Sequence, residues 1–162
     1  MRIAVYWIGK TRLAGVAALT EEYAGRLKHY CELDAQEIRG ARRKSAGRGE
    51  GTGAAGLSAE EDHMFSRVQQ QARAQIIALD PDGKRWSSAE LAGYIGRQRD
   101  QGVRELAFCV GGADGFSEPF LRRANLKVSL SPMTMPHELA RVVLLEQLYR
   151  AFTMLSNHPY PR

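Results

Sequence analysis

Three short segments of this sequence carry residue types suited to holding a ligand: Leu79-Asp80-Pro81-Asp82-Gly83, Gly111-Gly112-Ala113-Asp114-Gly115 and Ser131-Pro132-Met133-Thr134-Met135-Pro136. The glycine cluster lacks the Gly-x-Gly-x-x-Gly spacing of a dinucleotide site. It reads either as a turn needing positive φ or as a place where a ligand comes close to the backbone. Asp80 either holds a ribose hydroxyl or belongs to an ordinary Asp-Pro-Asp-Gly turn. Two prolines stiffen the third segment around Met133 and Met135, a composition that either wraps an apolar or sulfur-bearing ligand or simply joins a strand to a helix. Further along, Arg141, Glu146 and Arg150 interrupt an otherwise apolar run. A buried charge persists only when paired or used. The tail Asn157-His158-Pro159-Tyr160-Pro161-Arg162 has no core pattern, as a frayed terminus would not, yet it is rich in polar and aromatic groups.

The elements that must position these segments follow from periodicity. Ile3 to Ile8 is continuously apolar, as a strand buried on both faces is. Val16, Leu19, Tyr23, Leu27 and Tyr30 fall on one face of a helix, and a second strand spans Leu33 to Ile38. Residues 39–57 then hold five basic side chains (Arg39, Arg42, Arg43, Lys44 and Arg48) and six glycines, with nothing large and apolar before Leu57, which predicts a mobile basic loop. Ser58-x-x-Glu61 is a capping box opening a helix with Met64, Val68 and Ala72 inward. Gln75 to Leu79 predicts a third strand stopped by Asp80-Pro81-Asp82-Gly83, and Ser87-x-x-Glu90 opens a helix that Gly102 ends. A fourth strand from Val103 to Val110, a short helix from Ser117, a fifth strand near Leu126 to Leu130 and a last helix from Pro136 to Ser156 complete the chain.

Five strands alternating with five helices predict the α/β class, with a mostly parallel sheet covered on both faces. Ligands of such sheets sit beyond the carboxyl ends of the strands, so the three segments should converge on one pocket. The last helix is apolar around most of its circumference, more than one sheet face needs, which implies a second buried surface such as another copy of the chain.

At 162 residues the chain suits a single domain, 1–162, with its own core. Its net charge of +5 favours a polyanionic partner. Cys31 and Cys109 form neither a disulfide framework nor a zinc motif, which fits a reducing cytoplasm. The opening run Ile3 to Ile8 is too short for a signal-peptide apolar region and no apolar stretch reaches 18 residues, so neither secretion nor a membrane span is expected.

Leu130-Ser131-Pro132-Met133-Thr134-Met135-Pro136-His137, the run Arg141 to Ala151, and Asn157-His158-Pro159-Tyr160 together resemble the carboxy-terminal signature of the ribosomal RNA large subunit methyltransferase H family. Phe108 to Ser117 resembles its glycine loop, and Leu79 to Lys84 its third-strand exit. The resemblance runs nearly the whole length of the chain. It implies the SPOUT class, an α/β sheet with a carboxy-terminal trefoil knot, working as a homodimer. It also implies methylation of N3 of a pseudouridine in 23S rRNA of the ribosome, with S-adenosylmethionine as donor and no metal. The donor-binding positions matching the family are Leu79, Gly111, Leu130, Ser131, Pro132, Met133, Thr134 and Met135. The tail departs in one place: Pro161 stands where the family usually has His.

The implied reaction needs an in-line methyl, loss of the N3 proton and stabilisation of charge on the flanking base oxygens. Arg150 is the first candidate for that charge and Arg162 of the partner subunit the second. Tyr160 belongs to the same tail signature, and His158, His137 or water would take the proton. Arg39, Arg42, Arg43, Lys44 and Arg48 are expected to engage RNA phosphates. A non-catalytic dimeric RNA-binding protein of the same fold is the competing expectation. A flavodoxin-like nucleotide binder would leave the last helix and tail unexplained.

Overall fold

The computed structural model describes residues 1–39 and 56–160. Arg42, Arg43, Lys44, Arg48, Pro161 and Arg162 therefore lie outside the described residues. The described chain runs β1 (Arg2–Ile8), α1 (Ala14–Leu27), β2 (Glu32–Ile38), α2 (Ala59–Gln69), β3 (Ala74–Arg85), α3 (Ser88–Asp100), β4 (Glu105–Val110), α4 (Glu118–Arg123), β5 (Leu126–Ser129) and α5 (His137–Leu155). All five strands are parallel, in the order β2-β1-β4-β3-β5. The continuous apolar runs in β1 and β4 follow from helices covering both faces. Ile3, Val5, Leu106 and Phe108 pack under α5 and α3, and Ala4, Tyr6, Ala107 and Cys109 pack toward α2 and α4.

Both capping boxes form. Ser58 Oγ accepts from the Glu61 amide at 3.1 Å while Glu61 returns a carboxylate oxygen to the Ser58 amide at 2.8 Å; Ser87 and Glu90 repeat the pattern. Such caps contribute about 1 kcal/mol each. Gly102, at φ +76°, turns the chain out of α3.

The structure differs from the sequence expectations at four places. β3 does not stop at Leu79: Asp80 to Gly83 bulge out, an Asp80 carboxylate oxygen accepts from the Asp82 amide at 2.9 Å, and the strand resumes so that Leu79 and Lys84 both sit opposite Val128. The return brings Gly83 so close to β5 that a Cβ there would lie 2.5 Å from the Val128 nitrogen. Leu19 is exposed because the inner stripe of α1 passes through Val16, Thr20, Tyr23 and Leu27 instead. Ala72 lies beyond the end of α2 and is exposed.

The fourth difference concerns α5. It lies over the sheet between α1 and α3, so Leu144, Leu145, Leu148, Ala151 and Phe152 are buried within one chain. Its apolar excess is thus absorbed largely by the two flanking helices, and only Leu139 and Met154 remain strongly exposed on it. No described helix is long and apolar enough to cross a membrane.

Candidate functional site

The registers bring Leu79 of β3, just before its Asp80–Gly83 bulge, level with the carboxyl ends of β4 and β5: Leu79 pairs with Val110 on one side and Val128 on the other. The bulge and the loops leaving β4 and β5 therefore meet. Leu79, Gly111, Leu130, Ser131, Met133, Thr134 and Met135 line a single cleft of about 500 Å³, a size typical of small-molecule sites. Asp80, Gly112, Pro136, His137 and Ala140 are also in its wall, whereas Pro132 is not among the residues that line it. Most of the lining is apolar, and Met133 stands 77% exposed at the rim.

Local sequence explains the shape. Gly111 passes so near Gly115 that a Cβ would lie 2.8 Å from the Gly115 carbonyl carbon, and Gly115 itself has φ +75°. Only glycines let the loop fold flat and leave the cleft floor open. Ser131 Oγ accepts from the Met133 amide at 2.9 Å, and the Ser131 carbonyl accepts from Ser129 Oγ, which sets the curve of the proline-bounded loop.

Glu61 holds the far side of the glycine loop. Its carboxylate, 3% exposed, accepts from the Ser117 amide at 2.7 Å and the Ser117 hydroxyl at 2.8 Å while also capping α2. One side chain thus ties the start of α2 to the exit of the Gly111–Gly115 turn. From the sequence, Ser58-x-x-Glu61 signalled the cap alone; the second role depends on packing between α2 and α4.

The other candidate residues sit at the opposite end of α5. Arg150 donates to Glu146 Oε1 and stacks over the Tyr160 ring at 4.6 Å. Tyr160 packs edge-on against Tyr149, and the Tyr30 hydroxyl shares a 2.8 Å hydrogen bond with His158 Nδ1. The tail is therefore docked rather than frayed as far as Tyr160. Burial, together with the nearby Tyr23 hydroxyl, pushes the Tyr160 phenol up to about 12. At neutral pH it keeps its proton and can act as a hydrogen-bond donor. Arg150, His158 and Tyr160 border a second cleft with Ser87, Ser88 and Thr153. Glu146, paired in sequence as the residue one helical turn before Arg150, joins this group.

Arg39 lies where β2 ends, exposed, with its Nε 2.8 Å from Glu37 Oε1. His137 stands apart from the tail cluster, in the first turn of α5 and in the wall of the first cleft.

An all-parallel α/β sheet with a ligand-sized cleft beyond its carboxyl ends, floored by glycine and closed by the loop before the last helix, defines the class of protein. The family described as "Predicted SPOUT methyltransferase" matches residues 1–161. The ribosomal RNA large subunit methyltransferase H of Geobacter sulfurreducens is 41% identical over 160 residues, spanning 99% of each chain. That of Pelobacter propionicus is 42% identical over 164 residues, again 99% of each. A solved structure of a probable methylase family protein from Haemophilus influenzae shares the fold, with TM-score 0.53 and 12% identity over 99% of this chain and 72% of that one. The chain belongs to the SPOUT methyltransferases and, within them, to the ribosomal RNA large subunit methyltransferase H family.

Proposed function

We propose that this protein transfers a methyl group from S-adenosylmethionine to N3 of a pseudouridine in 23S rRNA of the ribosome, acting in the cytoplasm as a homodimer. The observation that carries the reading is the convergence of Leu79, Gly111 and the 130–135 loop on one cleft, in a chain of a methyltransferase family. The cleft suits the donor chemically. Leu79, Val110, Leu130 and Met135 offer apolar surface, while Asp80 and the backbone groups of the glycine and proline-bounded loops offer partners for hydroxyls and amines. Bound there, S-adenosylmethionine supplies an electrophilic methyl on a sulfonium.

The chain's own residues supply orientation and electrostatics. Rigid loops on strand ends fix the approach, which is the larger part of such catalysis. Arg150, held by Glu146, is a fixed guanidinium for the negative charge that develops on the base oxygens. Tyr160, a protonated phenol, donates a hydrogen bond to the same region. In the tautomer whose Nδ1–H donates to the Tyr30 oxygen, His158 keeps an unprotonated Nε2 for the N3 proton.

Within one chain the tail groups border a different cleft from the one lined by Leu79, Gly111 and the 130–135 loop. Arg150 lies thirteen positions after His137 along α5, which at 1.5 Å per residue is roughly 20 Å. A second copy with its α5 running the other way would deliver the tail of one subunit to the cleft of its partner, and the exposed Leu139 and Met154 on α5 favour that pairing.

The test is transfer of labelled methyl to ribosomes lacking the modification, with the product nucleoside identified by mass spectrometry. Wild type should yield N3-methylpseudouridine and Arg150→Ala should not. No product from wild type that still binds S-adenosylmethionine would assign the chain a non-catalytic RNA-binding role.

A further inference from the structure

We propose that the β1–α1 loop, Gly9 to Leu13, is an RNA-backbone-binding surface at the mouth of the cleft, with Lys10 and Arg12 as its phosphate-contacting residues. This rests on the reading of rRNA as substrate and adds to it a surface separate from residues 39–57.

The first support is position. Ile8 pairs with Ile38, so Gly9 leaves the sheet beside Arg39. Ile8 also lies 3.3 Å from where a Cβ on Gly112 would stand, and His137 Nε2 lies 3.3 Å from where one on Gly9 would stand. The last residue of β1 thus touches the glycine wall of the cleft, and the loop that follows it touches the α5 wall.

The second is construction. Gly9 adopts φ +94°, and the first turn of α5 then grips the loop. One carboxylate oxygen of Glu138 accepts from the Arg12 amide at 3.0 Å and the Leu13 amide at 3.3 Å, which holds its carboxyl below the usual range. Arg141, with no exposed surface, donates Nη1 to Thr11 Oγ1 at 2.6 Å and lies 5.0 Å from the Trp7 ring centre. Among the described residues its Nε and Nη2 have no hydrogen-bond partner. Burying a guanidinium with donors unmet is strongly unfavourable, so the loop is held in place at a real cost in stability.

The third is what the loop presents. Lys10 and Arg12 are exposed, and among the described residues neither forms an ion pair. The carboxylates nearby are already engaged, Glu138 by two amides and Glu37 by Arg39. Two uncommitted cations on a fixed backbone, beside a cleft in a chain of net charge +5, suit a polyanion better than a small ligand. Phosphates flanking a nucleotide drawn into the cleft are the fitting partner.

The experiment compares wild type with Lys10→Ala/Arg12→Ala and with Lys10→Arg/Arg12→Lys. Readouts are binding to large ribosomal subunits lacking the modification across a salt series, methyl transfer, and equilibrium binding of S-adenosylmethionine. The alanine variant should bind RNA about tenfold more weakly, with the slope of log affinity against log salt shallower by about 2, as expected for two lost phosphate contacts. Its KM for the subunit should rise while kcat and S-adenosylmethionine affinity stay within about twofold of wild type, and the charge-conserving variant should restore binding. Unchanged RNA affinity and slope would overturn the surface, and would leave an acidic protein face as what the loop meets. Loss of S-adenosylmethionine binding would also overturn it. Wild type that binds subunits but transfers no methyl defeats the catalytic reading alone. Wild type that transfers methyl while the alanine variant binds like it defeats this surface alone.

Discussion

Glu146 Oε1 accepts two hydrogen bonds from Arg150, from Nη2 at 2.6 Å and from Nε at 3.1 Å, across one turn of α5. The other carboxylate oxygen accepts from Gln147 Nε2, and Gln147 Oε1 accepts from Ser88 Oγ at the start of α3, both at 2.6 Å. A chain of polar contacts therefore runs from α3 to the guanidinium that lies over Tyr160. The fork fixes the plane of that guanidinium, which a single hydrogen bond would not.

Removing the fork should cost turnover more than binding. Glu146→Gln removes the carboxylate charge that holds Arg150, and Arg150→Lys keeps the charge but cannot present the Nε and Nη2 pair of donors. Each variant should lower kcat about 10- to 100-fold, in line with about 1.4 to 2.7 kcal/mol of transition-state stabilisation. S-adenosylmethionine affinity, measured by calorimetry, should stay as in wild type. An equal fall in donor affinity would place the pair in the donor cleft instead.

The glycine loop yields a converse prediction. A Cβ on Gly111 would stand 2.8 Å from backbone of Gly115, so Gly111→Val forces the turn to open into the cleft. Donor affinity should fall at least tenfold, about 1.4 kcal/mol. Subunit binding should be retained, because the basic residues lie on other loops. Titration of the variant with S-adenosylmethionine and, separately, with ribosomal subunits separates the two.

Legibility tracked the range of the interactions. β1, β4 and both capping boxes were readable because their signals lie within a few residues: apolar runs in the strands, Ser-x-x-Glu at the helix starts. Convergence of the three loops was readable because the parallel class fixes which strand ends carry ligands. The resumption of β3 at Lys84 was not, since Asp80-Pro81-Asp82-Gly83 has the composition of a terminal turn and only contact between Gly83 and β5 brings the chain back. Glu61 showed its cap and hid its bonds to Ser117, which lies 56 residues on. Arg141, Glu146 and Arg150 announced themselves as charges in an apolar run, and Glu146 pairs within α5, but Thr11 and Trp7 against Arg141 and Tyr160 against Arg150 come from elsewhere in the chain.

Glu105 makes stability depend on pH in a direction opposite to most carboxylates. It is 1% exposed at the start of β4, neither carboxylate oxygen has a hydrogen-bond partner among the described residues, and Arg2 Nε stands 3.2 Å away as an ion pair. Burial raises its pKa, with the Arg2 charge opposing. A raised carboxyl stabilises the fold while protonated, below its unfolded value, and that contribution is lost as pH rises through the folded value. Glu105→Gln should therefore match or exceed wild type in Tm at pH 7.5, by about 2–4 °C for each 1 kcal/mol gained. The gap should close as pH falls through the acidic range. A variant less stable than wild type at pH 7.5 would show that the Arg2 pair outweighs desolvation.

The separation of cleft and tail along α5 makes a quantitative prediction about two inactive variants mixed together. Gly111→Val spoils the cleft and leaves the tail, while Arg150→Ala spoils the tail and leaves the cleft. If each site combines the cleft of one subunit with the tail of its partner, a mixed dimer holds one site with both defects and one with neither. Random exchange of equal amounts makes half the dimers mixed, each with one working site of two, so activity should return to about a quarter of wild type. If the tail served its own cleft, every site would carry a defect and the mixture would be as inactive as its components. The same null result is expected of a monomer, so sedimentation of the mixture must accompany the assay. Dimers without recovered activity would mean that the approximately 20 Å along α5 is spanned within one chain by a rearranged tail. Recovery near one quarter would assign Arg150 to the partner's cleft.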